Sequence, residues 1–331
     1  MEGNMIKGLF YGVRVVFFLS MAFIFTPMMG HAQDEVSKFP TRPVTYIHPY
    51  AAGTSADLSI RLISKEAEKF LGQPIIVVNK PGGGGAIGVA AVATALPDGY
   101  TIGNANTNPM LIIPHLEKLP YHPVRDFKMI MQFGSLNLGV IVKSDAPFKS
   151  FKDLITFARQ NPKKLTYGTT GVTSTPSIVL EQIARREKVQ LTHIPFKATS
   201  ESQTALLGGH ILFAAGDFNY SLVEAGQIRL LLLLREERAA EYPETPIVKD
   251  MGYDFPIPTF ICAAGPKGLP DGIVKKLEDA FTKAMKEPAF AKGMKDLRLP
   301  IVYRNSRDLN AYVTHNYETY GRMLKDLGLM K

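Results

Sequence analysis

Apolar residues along the chain follow two rhythms. Short continuous runs read as buried strands: VTYIHPY from Val44, PIIVVN from Pro74, YTIGNA from Tyr100, LGVIVK from Leu138, LTYGT from Leu165, LTHIPF from Leu191, ILFAAG from Ile211, IRLLLLL from Ile228 and TFICAAG from Thr259. Between them, apolar residues recur three or four apart, as on one face of a helix. Leu58, Leu62, Ile63, Ala67 and Phe70 make one stripe. Phe151, Leu154, Ile155 and Ala158 make a second, and Ile273, Leu277, Phe281 and Met285 a third. Leu71-Gly72-Gln73-Pro74 and Leu96-Pro97-Asp98-Gly99 read as helix stops. Strands alternating with helices predict an α/β fold with mostly parallel sheets covered on both faces.

The first residues break this rhythm. Lys7 and Arg14 precede an apolar run from Val15 to Met29, and Gly30-His31-Ala32 supplies small residues at a cleavage site. The run is short for a membrane span and Pro27 interrupts it, so residues 1–32 read as a signal peptide cleaved near Ala32. Removing them from the 331-residue chain leaves about 300 residues, enough for two domains.

Composition then narrows the function classes. The formal net charge of +8 is spread along the chain, without a Lys/Arg block or interleaved aromatics, so nucleic acid is not an expected partner. One cysteine, Cys262 in TFICAAG, excludes a disulfide framework and reads as a core thiol. The seven histidines show no ligand-like spacing, so no metal is expected, and no cofactor. There is no G-x-S-x-G elbow and no evident carboxylate pair, so no catalytic residue is nominated. An exported hydrolase or transferase remains the alternative to a binding protein.

In open α/β sheets, ligands sit in the loops that follow strands and open helices. Two loops fit. The first is Tyr50-Ala51-Ala52-Gly53-Thr54-Ser55-Ala56-Asp57, where Thr54 to Asp57 has the spacing of a capping box. A helix start offers unsatisfied N–H groups and a partial positive charge, and Gly53 lets a ligand approach the backbone. The second is YGTTGVTSTPS, dense in hydroxyls at Thr169, Thr170, Thr173, Ser174, Thr175 and Ser177, with Thr175 expected as N-cap and Pro176 at the first helical position. Together they suggest a cradle for a small anion. Asp57 either meets a ligand's amino or hydroxyl group or serves the helix end. Gly83, Gly85 and Gly88 spell G-x-G-x-x-G, but Asn79-Lys80-Pro81 separates them from the strand and no acid closes a second strand. The glycines therefore read as a close backbone turn rather than a nucleotide loop.

Several stretches resemble one family, in order and over nearly the whole mature chain: PYAAGTSADLSIRLISKEAEKFLGQPIIVVNKPGGGGAIG, PDGYTIG, PYHPVRDFKMI, FKSFKDLITFARQNPKKLTYGTTGV, HIPFKATSESQTALLGGHI, GQIRLLL and YPETPIVKDMGYDF. They are similar to the substrate-binding proteins of tripartite tricarboxylate transporters, the Bug or TctC-type receptors. The resemblance implies a type II periplasmic-binding-protein fold with a ligand cleft between two lobes. Lobe 1 would be residues 33–140 plus 259–331, and lobe 2 residues 141–258. It implies a periplasmic, monomeric, non-enzymatic protein that captures a small organic or aromatic carboxylate for the membrane subunits of the transporter; a receptor feeding a sensor kinase is a variant. The carboxylate would sit between the two loops above, with Asn106 and Asp217 also lining the cleft. Thr54 and Ser55 stand where the family usually has a further glycine, and Ser177 where it often has histidine.

Overall fold

The computed structural model describes residues 36–239 and 241–330, so the signal peptide assigned to residues 1–32 lies outside the described residues. Among the described residues no helix is long and apolar enough to cross a membrane. The chain from Arg42 onward forms one compact unit. Its elements run β1 (Val44–His48), α1 (Ser55–Leu71), β2 (Ile75–Asn79), a 3-10 turn at Gly83–Gly85, α2 (Ala86–Ala93), β3 (Thr101–Gly103), a π-helical turn at Asn108–Ile112, α3 (Ile113–Leu116) and β4 (Phe127–Gly134). The chain then crosses to β5 (Gly139–Lys143), α4 (Phe151–Gln160), β6 (Thr166–Thr169), α5 (Thr175–Glu187), β7 (Thr192–Pro195), α6 (Thr199–Leu207), β8 (Phe213–Gly216), α7 (Tyr220–Glu224) and β9 (Ile228–Leu233). It returns through β10 (Ile261–Pro266), α8 (Asp271–Ala284), α9 (Pro288–Asp296), β11 (Ile301–Arg304) and α10 (Ser306–Asp326).

Two mixed sheets result, in the orders β11-β4-β10-β3-β1-β2 and β7-β6-β8-β5-β9. The expectation of mostly parallel pairing needs correction. β1–β2, β1–β3, β6–β7 and β6–β8 are parallel, whereas β10–β3, β10–β4, β11–β4, β5–β8 and β5–β9 are antiparallel. The cause is the crossing. Four of the five antiparallel pairs involve β5 or β10, the strands by which the chain enters each sheet from the other, and both run against their partners; the fifth is the edge pair β11–β4.

The two crossing segments are tied to each other. Ser135 Oγ donates to Thr259 O at 3.0 Å and also meets the Thr259 hydroxyl, and Thr259 Oγ1 donates to Leu136 O at 3.3 Å.

Each sheet has its own core. Val140, Phe151, Leu154, Tyr167, Ile183 and Leu232 pack together in the second lobe, and Ile47, Val89, Met110, Cys262, Val313 and Tyr320 in the first. The stripe on α1 is rotated from the expected one: Leu58 and Phe70 are about two-fifths exposed, while Ile60, Ile63 and Ala67 are fully buried. The polar residues Asp57 and Ser59 are buried on the same helix and hydrogen-bonded, so part of its inner face is built from hydrogen bonds rather than apolar contact.

Candidate ligand-binding site

The β1–α1 loop is held by a buried acid. Thr54 caps α1, its hydroxyl accepting from Asp57 N at 3.2 Å. The Asp57 carboxylate does not return the bond to Thr54 but accepts Gly53 N–H at 2.9 Å. Gly53 has φ +82°, a left-handed conformation that strains other residues, with open space where a Cβ would project. Asp57 is only 1% exposed and also accepts from Asn79 Nδ2 at 2.8 Å, Arg61 Nε at 3.0 Å and Arg61 Nη2 at 3.2 Å. Burial pushes this carboxyl up, but the bonds from Arg61, Gly53 and Asn79 together outweigh it and hold it below the usual carboxylate range. Asp57 thus spends both oxygens on the loop, and the Gly53 N–H is spent with it. The N–H groups of Ser55 and Ala56, at the start of α1, have no protein acceptor among the described residues.

Beneath the loop lies His48, fully buried, with Nε2 3.4 Å from Thr54 Oγ1 and Nδ1 without a partner. Burial pushes the ring's pKa down to about 4, so it is neutral near pH 7.

Tyr50 joins the glycine run to the segment after β3. Gly84 O can only accept, so Tyr50 Oη donates to it at 3.2 Å and Asn108 Nδ2 at 3.0 Å. Tyr50 Oη, its proton committed, accepts from Asn106 Nδ2 at 3.1 Å. This fixes both amide orientations and leaves Asn106 Oδ1 and Asn108 Oδ1 buried without a partner. The four consecutive glycines all have positive φ, and a Cβ on Gly85 would stand 3.1 Å from Tyr50 Oη. Their role is to let the main chain reach the tyrosine, as the close-turn reading expects.

The β6–α5 loop starts its helix one residue early. Ser174, not Thr175, is the N-cap, accepting Ser177 N at 3.4 Å, and Pro176 is the second helical residue. Ser174 suits the cap because its hydroxyl also donates to Gly171 O at 2.8 Å, closing the loop on itself. Thr169 is fully buried, donates to Gly171 O at 2.9 Å and lies 2.8 Å from His193 Nε2. Thr175 and Ser177 are buried at the helix start, Thr173 is half-buried and Thr170 is exposed.

The α1 entrance touches the second lobe. Ser55 Oγ, at the start of α1, donates to Asp217 Oδ2 at 2.7 Å, linking the first lobe to the segment after β8 in the second. Asp217 is half-buried, with Phe218 N–H on Oδ1 at 3.0 Å and Gln203 Nε2 on its main-chain oxygen at 3.2 Å. Burial pushes its carboxyl up. Ile178, in the first turn of α5, belongs to the first lobe's core, the cluster that also holds Ile47 and Ala105. Pro176 lies 3.9 Å from the Cβ position of Gly216.

Of the nominated residues, Tyr50 and Asn106 meet directly, and Ser55 and Asp217 meet directly. Ala51, Ala52 and Gly53 are exposed at the loop tip. Asn79, Asn108 and Gln203 support the site but carry no local sequence signal; Arg61 does, four residues after Asp57 on the same helix. A separate cavity of about 590 Å³ lies between α5, residues 254–256 and the end of α10, away from these loops.

Two mixed sheets joined by two crossings are the architecture of a periplasmic-binding-protein fold. The chain belongs to the family described as tripartite tricarboxylate transporter family receptor (TctC), whose model matches residues 59–329. It is 36% identical over 301 residues to the "UPF0065 protein in gbd 5'region" of Cupriavidus necator, covering 91% of this chain and 92% of that protein. Its structure is similar to that of periplasmic binding protein BugD, with TM-score 0.79, 26% identity and coverage of 88% and 100%. It is also similar to MatC from Rhodopseudomonas palustris with bound malate, with TM-score 0.77, 25% identity and coverage of 86% and 100%.

Proposed function

We propose that this protein is a periplasmic solute-binding protein that captures a small carboxylate and hands it to the membrane subunits of a tripartite tricarboxylate-type transporter. Lobe 2 begins with β5, so the expected boundary at residue 140 moves back: lobe 1 comprises residues 33–138 and 259–331, and lobe 2 residues 139–258. The ligand's carboxylate lies at the start of α1, against the loop from Tyr50 to Ser55. Thr170, Thr173, Ser174, Thr175 and Ser177 close on it from the other lobe, with Asn106 and Asp217 at its flank. Asp57 shapes the loop instead of touching the ligand. The observation that carries this reading is the 2.7 Å Ser55–Asp217 bond, which brings the α1 entrance against the opposite lobe beside two N–H groups without acceptors among the described residues. A helix start supplies the electrostatics an anion needs without a lysine or arginine, and the family's receptor role and the malate-bound relative point the same way.

Thermal unfolding of the mature protein against a panel of mono-, di- and tricarboxylates and amino acids tests it. A ligand at a hundred times its Kd adds about 2.7 kcal/mol of stability, a readily measured rise in Tm. A panel without any stabilising acid would refute the proposal.

A further inference from the structure

We infer that the preferred ligand carries a hydrogen-bond donor, a hydroxyl or an ammonium group, on the carbon next to its carboxylate, and that Asp217 is the residue that selects it. The inference rests on the carboxylate site proposed above and adds the ligand's class. The flank of that site has more acceptors than donors. Asp217 Oδ2 has one donor, the Ser55 hydroxyl, and among the described residues no Lys, Arg or His nitrogen pairs with it. Asn106 Oδ1 and Asn108 Oδ1 are buried with nothing to accept from. Their orientation is forced, because both amide nitrogens are committed to Tyr50 and Gly84.

Ser55 sets the spacing. Its N–H is one of the two open at the helix start, while its hydroxyl already reaches Asp217. A carboxylate seated on that N–H therefore brings its neighbouring carbon toward Asp217. A bare methylene there leaves two carboxylates facing across a cleft that loses water on closing, and each repels the other. A hydroxyl or ammonium placed between them donates to Asp217 and removes the conflict.

Calorimetric titration with matched pairs tests this: L-malate against succinate for the hydroxyl, and L-glutamate against glutarate for the ammonium. In the wild-type protein one donor-bearing acid is expected to bind about ten- to a hundredfold tighter than its bare partner, the worth of one hydrogen bond to a charged group. In Asp217→Asn, which keeps the side chain's shape, and in Asp217→Ala that ratio is expected to fall toward one. Equal binding of both members of both pairs, or a ratio unchanged in both variants, would overturn the inference while leaving the proposed function standing. Binding of no acid at all would overturn the proposed function, and this inference with it.

Discussion

Replacing Asp57 with alanine removes the acceptor around which the first binding loop is folded. The cost can be worked from its partners. Gly53 N–H and Asn79 Nδ2 each donate to a buried carboxylate, and hydrogen bonds to charged groups contribute about 1.5–3 kcal/mol each. Arg61 adds little, because its side chain is 43% exposed and water screens the pair. The lost acid in the first turn of α1 costs about 0.3–1 kcal/mol more. These contributions overlap, and the loop tip above them is open to water, so the expected loss is about 3 kcal/mol. For a chain of this size that lowers Tm by about 6–10 °C. Thermal melts followed by circular dichroism at pH 7 measure it, with Arg61→Ala as a control expected to cost under about 1 kcal/mol. The folded carboxyl is held below its usual range. Its contribution is therefore complete above the unfolded pKa, near 4, and is lost as pH falls through the folded value. The gap between wild type and variant should close in acid. A Tm difference under 2 °C at pH 7, or a gap that widens below pH 4, would refute the assignment of Asp57 as the loop's organiser.

Two further outcomes follow from buried groups nearby. Because His48 titrates near 4 when folded and near 6.5 when unfolded, stability should fall as pH drops through that window, by about 3 kcal/mol in full; His48→Asn should flatten the slope of Tm between pH 7 and 4.5. Gly88→Ala would place a Cβ 2.7 Å from Pro49 Cα and 2.8 Å from Lys80 O, both backbone atoms. It should cost more than about 2 kcal/mol and, by pushing the chain that leads into Tyr50, weaken carboxylate binding in calorimetry.

Local rhythm made much of the architecture legible. VTYIHPY and LGVIVK became strands because apolar, β-branched runs suit sheets covered on both faces, and PIIVVN became an edge strand through its β-branched residues although Ile76 is half exposed. β4 and β11 escaped that reading. β4, FKMIMQFG, has methionines where β-branched residues would mark a strand, and β11 is four residues at a sheet edge. The direction of β5 and β10 was hidden too, since it follows from the crossings and not from anything within those strands. At the site, Thr54 announced its cap locally, whereas Ser174 displaced Thr175 through a bond to Gly171 that spacing does not predict. The fate of Asp57 depended on Asn79, 22 residues away, and that of Ser55 on Asp217, 162 residues away. Pairings over such separations are set by how elements dock, which no local pattern carries.

The place of β10 between β3 and β4 bears on how the molecule is made. A ribosome or a translocation channel releases β1 to β4 long before residue 261, and until then the first sheet lacks a middle strand. The second sheet draws only on Gly139 to Leu233, a continuous stretch, and can assemble while the first waits. The half of the protein that begins the chain is therefore the half that finishes folding, and its edges stay unpaired and in need of protection for most of that time.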